Sequence, residues 1–220
     1  MVAQPLSPSI QVPSDRSAGA GLRSADLRGE DFTNVDLHGR DLSGVNLERA
    51  VLAGARLDGA VLTDAGLAGA DLKGASLVGA LLVNTDLTGA DFTRCALSHA
   101  DMRSCDASHT SFVEARMRGA LLDRSVLSAV DLSGADLMDA SLKEIHLSDS
   151  DLRRCSLRRA NLTGAQMFHC ELDGADLCGA TFADAELVQV TMQGARYSET
   201  TAFPPGFDPF AAGVRLVRSG

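Results

Sequence analysis

Cysteine, histidine, aspartate and serine supply the reactive side chains of this chain, and their spacing argues against the chemistries they usually serve. The five cysteines are Cys95, Cys105, Cys155, Cys170 and Cys178. A metal or dithiol site built from neighbouring ligands needs close pairs such as Cys-x-x-Cys or paired histidines, and the chain contains neither. Its histidines, His38, His99, His109, His146 and His169, share no spacing that would gather a ligand set. Ser and Asp are frequent because a short pattern keeps returning them, so a Ser–His–Asp coincidence has no weight as a triad. We therefore expect no catalytic residue, no metal and no cofactor, and a protein that acts through its surface.

The pattern that returns these residues has a period of five. Thirty-six consecutive units run from Ala20 to Glu199 without insertion or deletion, each reading small, polar, large apolar, polar, glycine-like. The central site is Leu in 26 units and the site two places earlier is Ala in 21, which marks both as interior positions. An α-helix rotates by roughly 500° over five residues and gathers no face from such a pattern. A straight strand throws an odd period onto opposite faces. Only a chain that bends once per unit keeps both sites inward, and the recurrent Gly and Asp suit those bends. Successive coils then stack and pair their backbones, as in a solenoid.

Within this scheme Cys95, Cys105, Cys155 and Cys170 occupy the small site and read as packing residues, whereas Cys178 follows a central Leu and is expected to face outward. Ala107 is the exception at a central site. A local narrowing or bend is expected there, with Met102 and Phe112 filling the space that a Leu would occupy.

The run Asp131-Leu132-Ser133-Gly134-Ala135-Asp136-Leu137 resembles the A(D/N)LXX pattern of the pentapeptide-repeat proteins, and the resemblance extends over residues 20–199. It implies an all-β fold, a right-handed quadrilateral β-helix with four units to a coil. About nine coils and a rod about 43 Å long follow at the usual strand spacing. The chain divides accordingly into an N-terminal arm or cap over 1–19, the β-helix over 20–199 and a C-terminal cap over 200–220. In the last segment Asp208 before Pro209 suits a helix N-cap and Gly213 its end, so a short helix and then a short strand are expected. Phe203, Phe207, Phe210, Val214 and Leu216 are expected either to cover the last coil or to join two copies in a homodimer.

Four units to a coil set residues twenty apart above one another. One column reads Asp31, Val51, Asp71, Asp91, Ser111, Asp131, Asp151, Glu171 and Thr191. Its acidic members, Asp31, Asp71, Asp91, Asp131, Asp151 and Glu171, are candidate partner-binding residues, since a regular line of negative charge resembles a DNA strand. The rod would span about 13 base pairs. Stacked carboxylates about 5 Å apart repel, so Lys73, Arg94, Arg153, Arg154 or local backbone N–H groups are expected to relieve them. Val61, Leu81, Val83 and Leu121 take normally polar sites on another face and form a second candidate contact surface.

A net charge of −9 opposes direct nucleic-acid binding. The first residues carry Pro5, Pro8 and Pro13 and lack a charged start followed by an apolar run, so no signal peptide or membrane span is expected. Unpaired thiols fit a reducing, cytoplasmic location. The family resemblance implies a protein partner, and its quinolone-resistance members act as duplex mimics on DNA gyrase or topoisomerase IV. A scaffold for an unrelated protein partner is the alternative.

Overall fold

The computed structural model describes residues 22–217, and within them the chain climbs as a four-sided β-helical solenoid. The arm or cap expected over 1–19 lies outside the described residues. Each unit consists of a short extended stretch followed by a turn. The residue closing the unit, every fifth position from Ser24 to Gly194, has φ between +52° and +73°. One left-handed residue at the third place of a four-residue turn is the signature of type II, which explains the recurrent Gly. The next amide closes the turn; Ala55 N–H donates to Leu52 O at 2.9 Å.

Residues twenty apart pair as parallel bridges from Asp26↔Asn46 to Asp176↔Arg196, so four units make one coil. Three amides per unit carry this ladder, one of them that of the closing residue, as in Gly54 N–H to Lys73 O at 2.9 Å. Leu52 N–H donates upward to Asp71 O at 2.6 Å, and Val51 N–H donates back to Glu30 O at 2.9 Å. Both interior sites point where the period of five requires. From Leu42 to Phe182 every central side chain is at most 1% exposed, and the Ala residues beside them are equally buried.

Hydroxyls at the small site are satisfied by the coil below. Thr85, Thr110, Ser125 and Ser150 donate to the carbonyls of Leu62, Leu87, Met102 and Leu127. The thiols of Cys95 and Cys170 follow the same path to Leu72 O and Leu147 O. Cysteine therefore substitutes for Ala as a slightly larger, weakly donating residue. Burial pushes the thiols of Cys95 and Cys155 up to about 12 and those of Cys105 and Cys170 up to about 11.

The expected narrowing or bend at Ala107 is absent from the backbone pairing. Asp86↔Asp106 and Asp106↔Val126 keep the register, and Ala107 N–H reaches Val126 O at 2.8 Å. The same coil carries Met102, Phe112 and Met117, all fully buried, with Phe112 stacked on Phe92 at 5.1 Å. Longer or larger neighbours thus accompany the missing Leu without moving the main chain.

On one face the extended stretches lengthen into strands: β1 (Val126–Ser128), β2 (His146–Ser148), β3 (Gln166–Phe168) and β4 (Glu186–Val188), a parallel sheet in that order. The corner after each strand holds Val130, Ser150, Cys170 or Val190 instead of Ala. Below them Ala90 N–H closes its turn on Leu87 O at 2.9 Å and Thr110 stretches the equivalent bond to 3.2 Å. Val130 N–H turns instead to Ser150 Oγ at 3.2 Å. In this corner column the change from Ala to Val130, Ser150, Cys170 or Val190 accompanies an extended stretch of three residues, although Val45 and Cys95 on other corners keep their turns closed at 3.1 and 3.0 Å.

The C-terminal segment departs from expectation. No helix forms among the described residues. Asp208 does accept from Phe210 and Ala211 N–H, but the chain makes one turn, leaves through Gly213 at φ +76° and enters β6 (Arg215–Leu216). Pro209 and Gly213 bracket too few residues to repay helix nucleation. Strand β6 pairs in parallel with β5 (Arg196–Tyr197).

Candidate functional site

The acidic column is real as a geometric object. Parallel bridges link Asp31, Val51, Asp71, Asp91, Ser111, Asp131, Asp151, Glu171 and Thr191 in sequence along one face. The fold itself employs most of these carboxylates. Asp31, Asp71, Asp91, Asp131 and Asp151 each accept the backbone N–H two residues ahead, at 2.8–3.1 Å. This local bond closes the entry to the following turn and is independent of any partner.

Cations occupy the rest of the column. Lys73 Nζ lies 3.6 Å from Asp71 and 2.8 Å from Asp91, and Arg153 Nε lies 3.2 Å from Glu171 while its guanidinium also holds Asp151. Arg153 hydrogen bonding, ahead of burial, holds the Asp151 carboxyl below the usual range. For Asp91, burial pushes upward but is outweighed by Lys73 and Thr93. Asp31 is lowered by the Thr33 hydroxyl. Of the other expected cations, Arg94 pairs with Glu114 at 2.7 Å, and Arg154 makes no ion pair among the described residues. The column is thus a laddered set of ion pairs with Asp31 and Asp131 outside them.

The apolar candidates are only partly gathered. Val61 bridges Leu81, but Asp101, bound by Arg103, stands between Leu81 and Leu121. Leu81 is 42% and Leu121 36% exposed, whereas Val61 and Val83 are half-buried. At the C-terminal end the five named residues separate into two groups. Phe203 stacks on Phe182 at 5.7 Å and on Phe207 at 4.9 Å, and Val214 is buried. Phe210 is 87% exposed and Leu216 faces outward. Cys178, expected to face outward, is half-buried beside Asp176, Arg158 and Arg196.

One arrangement escaped the sequence reading. His109 and His169 belong to one corner column, and His146 stands on the β-sheet of the same face. Counting in twenties would have brought them together. His169 Nδ1 lies 3.3 Å from Asp149. Among the described residues no group of three His, Cys, Asp or Glu is placed to hold a metal ion, and no helix is long and apolar enough to cross a membrane.

A family model described as pentapeptide repeats matches the chain in 8 copies, over residues 31–67, 41–79, 66–104, 100–139, 135–174 and 160–196. The chain is similar to the solved structure of HetL, a pentapeptide repeat protein involved in heterocyst differentiation regulation from the cyanobacterium Nostoc sp. strain PCC 7120. That similarity is 26% identity and a TM-score of 0.37 over 87% of this chain and 96% of that one. It is also similar to trypsin-treated QnrB1, a plasmid-mediated fluoroquinolone resistance protein, at 19% identity and a TM-score of 0.42 over 81% and 86%. A pentapeptide repeat protein from the Arabidopsis thaliana thylakoid lumen shares 25% identity, with a TM-score of 0.27 over 55% and 74%. No curated protein matches the chain.

Proposed function

The chain belongs to the pentapeptide-repeat family, and from that premise we propose that it is a non-catalytic protein that binds another protein along the flat sides of its rod. The observation that supports this reading is the uninterrupted bridge ladder from Asp26 to Arg196. It fixes outward side chains in straight columns at about 4.8 Å spacing, the kind of extended surface that solenoids offer to partners. Reactive groups are committed elsewhere: the four buried thiols pack the interior, and the repeat's Asp residues serve its turns. Reduced thiols support a cytoplasmic location.

DNA gyrase or topoisomerase IV is the specific partner proposed, because quinolone-resistance members of the family act on these enzymes and because this rod is acidic, with a net charge of −9. The test is a gyrase supercoiling assay with and without a fluoroquinolone. Inhibition or drug protection at micromolar protein is the expected result; neither effect would remove the topoisomerase reading. Changing Asp71, Asp91, Asp131 and Asp151 to Asn keeps the turn acceptor and removes the charge, so inhibition that survives this change would exclude mimicry by that column. A partner unrelated to topoisomerases is the second reading, favoured by the exposed Leu81 and Leu121.

A further inference from the structure

Charge is distributed unevenly around the coil. The face that carries β1–β4 begins with Arg28 and Arg49 in its first two coils. From residue 65 upward it comprises 65–69, 85–89, 105–109, 125–129, 145–149, 165–169 and 185–189 and contains no Lys or Arg. Each other face has several cations threaded between its acids: Arg103, Arg124 and Lys143 on one, Lys73, Arg94 and Arg153 on the next, Arg56, Arg118, Arg158 and Arg159 on the last. Below this stretch Arg28 and Arg49 hold Asp26 and Glu48, whereas the carboxylates from residue 65 upward have no Lys or Arg beside them on the face. Asp86, Asp106 and Glu186 have no ion pair among the described residues, and Asp149 meets only His169. Asp86 and Asp106 use one oxygen for the N–H groups of Thr88 and Ser108, which leaves the second unengaged.

The same face is apolar in its middle and open in shape. Val126 and Val188 are each 38% exposed, and Phe168 is half-buried between them on the sheet. Its corners are small at Gly89 and Ala129, so a partner main chain can lie close. Here alone the solenoid widens into a continuous four-stranded sheet among the described residues.

We infer that the outer face of β1–β4 and of the three coils directly below it, from residue 65 upward, is the docking surface for a cationic protein segment that also carries apolar side chains. Charge complementarity selects this occupant. Unpaired carboxylates without an intervening cation attract Lys and Arg and repel phosphate backbones, while Val126, Phe168 and Val188 give the segment apolar area to cover. The inference rests on the protein-binding reading above and names the face and the partner's chemistry.

The test uses the full ¹⁵N-labelled chain and a synthetic peptide alternating Lys with Val and Ser, against a twin in which Gln replaces Lys. Saturable amide shifts confined to the β1–β4 face, seen with the Lys peptide and absent with the Gln peptide, are expected. The variant Asp86→Asn, Asp106→Asn, Asp149→Asn, Glu186→Gln should weaken binding about tenfold or more, an effect of the size that lost charge pairs produce at interfaces. Asn retains the acceptor for Thr88 and Ser108, so this variant should keep the parent's circular dichroism. The Asn variant of Asp71, Asp91, Asp131 and Asp151 should bind almost as well as the parent. Shifts centred on the Asp71 column, equal losses in both variants, or equal binding of the two peptides would overturn the assignment. Self-association of the chain abolished by the Asp86 variant would also overturn it, by giving the face to a second copy. A failed supercoiling assay leaves this test untouched, and failure here leaves a positive supercoiling assay standing.

Discussion

The corner residue closing each unit decides how comfortably the chain turns, and Ala129 is the least suited of them. It sits at φ +54° with neither the freedom of Gly nor a side chain able to bond locally. A left-handed conformation places Cβ against the following carbonyl at roughly 1–2 kcal/mol per residue. Ala129→Gly should therefore stabilise the protein by about 1 kcal/mol, the usual gain at φ > 0 less the extra entropy of glycine. The reverse change, Gly174→Ala at φ +70°, should cost a similar amount. Its new Cβ would lie 3.4 Å from Arg154 Cγ, an ordinary contact, so conformation alone carries the penalty. Urea midpoints of the two variants check this. Shifts of the same sign in both would show that corner packing, not backbone angle, governs the turn.

Elements of five residues were legible because period alone distinguishes this fold from helix and straight strand. That both Leu and Ala sites point inward also follows from the period, and burial agrees from Leu42 to Phe182. Four units to a coil came through the family resemblance, since five-residue periodicity is silent on how many corners close a turn. Lys73 and Arg153 were legible as neighbours of the acidic column, and both pair with it, whereas Arg94 reaches Glu114 instead. What stayed hidden was the lack of cations on the β1–β4 face above Arg49, which appears only after residues are sorted by twenties. The short helix after Asp208 was misread because its cap signals are genuine while the segment between Pro209 and Gly213 is too brief. The coil at Ala107 gives an element-level test. If Met102, Phe112 and Met117 have filled the missing Leu's space, Ala107→Leu overpacks the interior and should destabilise by about 1–3 kcal/mol. A stabilised variant in thermal denaturation would instead reveal an unfilled cavity.

Across the whole rod the same repeat sets opposite responses to acid and to base. Many surface Asp carboxyls titrate low, Asp101 and Asp151 through hydrogen bonds from Arg103 and Arg153 above all. A carboxyl depressed by folding stabilises the native state above its unfolded value, near 3.9, and loses that contribution as pH falls through the folded value. Stability should therefore decline below about pH 4. The interior thiols act at the other end. Burial raises Cys95 and Cys155 to about 12 from an ordinary 9.0, and Cys105 and Cys170 to about 11. Their contribution is complete below the unfolded value and drains away as pH rises toward the folded one, because the unfolded chain releases its thiol protons first. Lys73, also raised, begins to lose its share only above 10.5. Between about pH 8.5 and 10 the thiols should thus dominate the alkaline decline. Replacing Cys95, Cys105, Cys155 and Cys170 by Ala, the commonest occupant of their site, should flatten the urea midpoint over that interval and leave the acid limb unchanged. An equally steep alkaline decline in the cysteine-free interior would mean that proton loss from the thiols has no part in it.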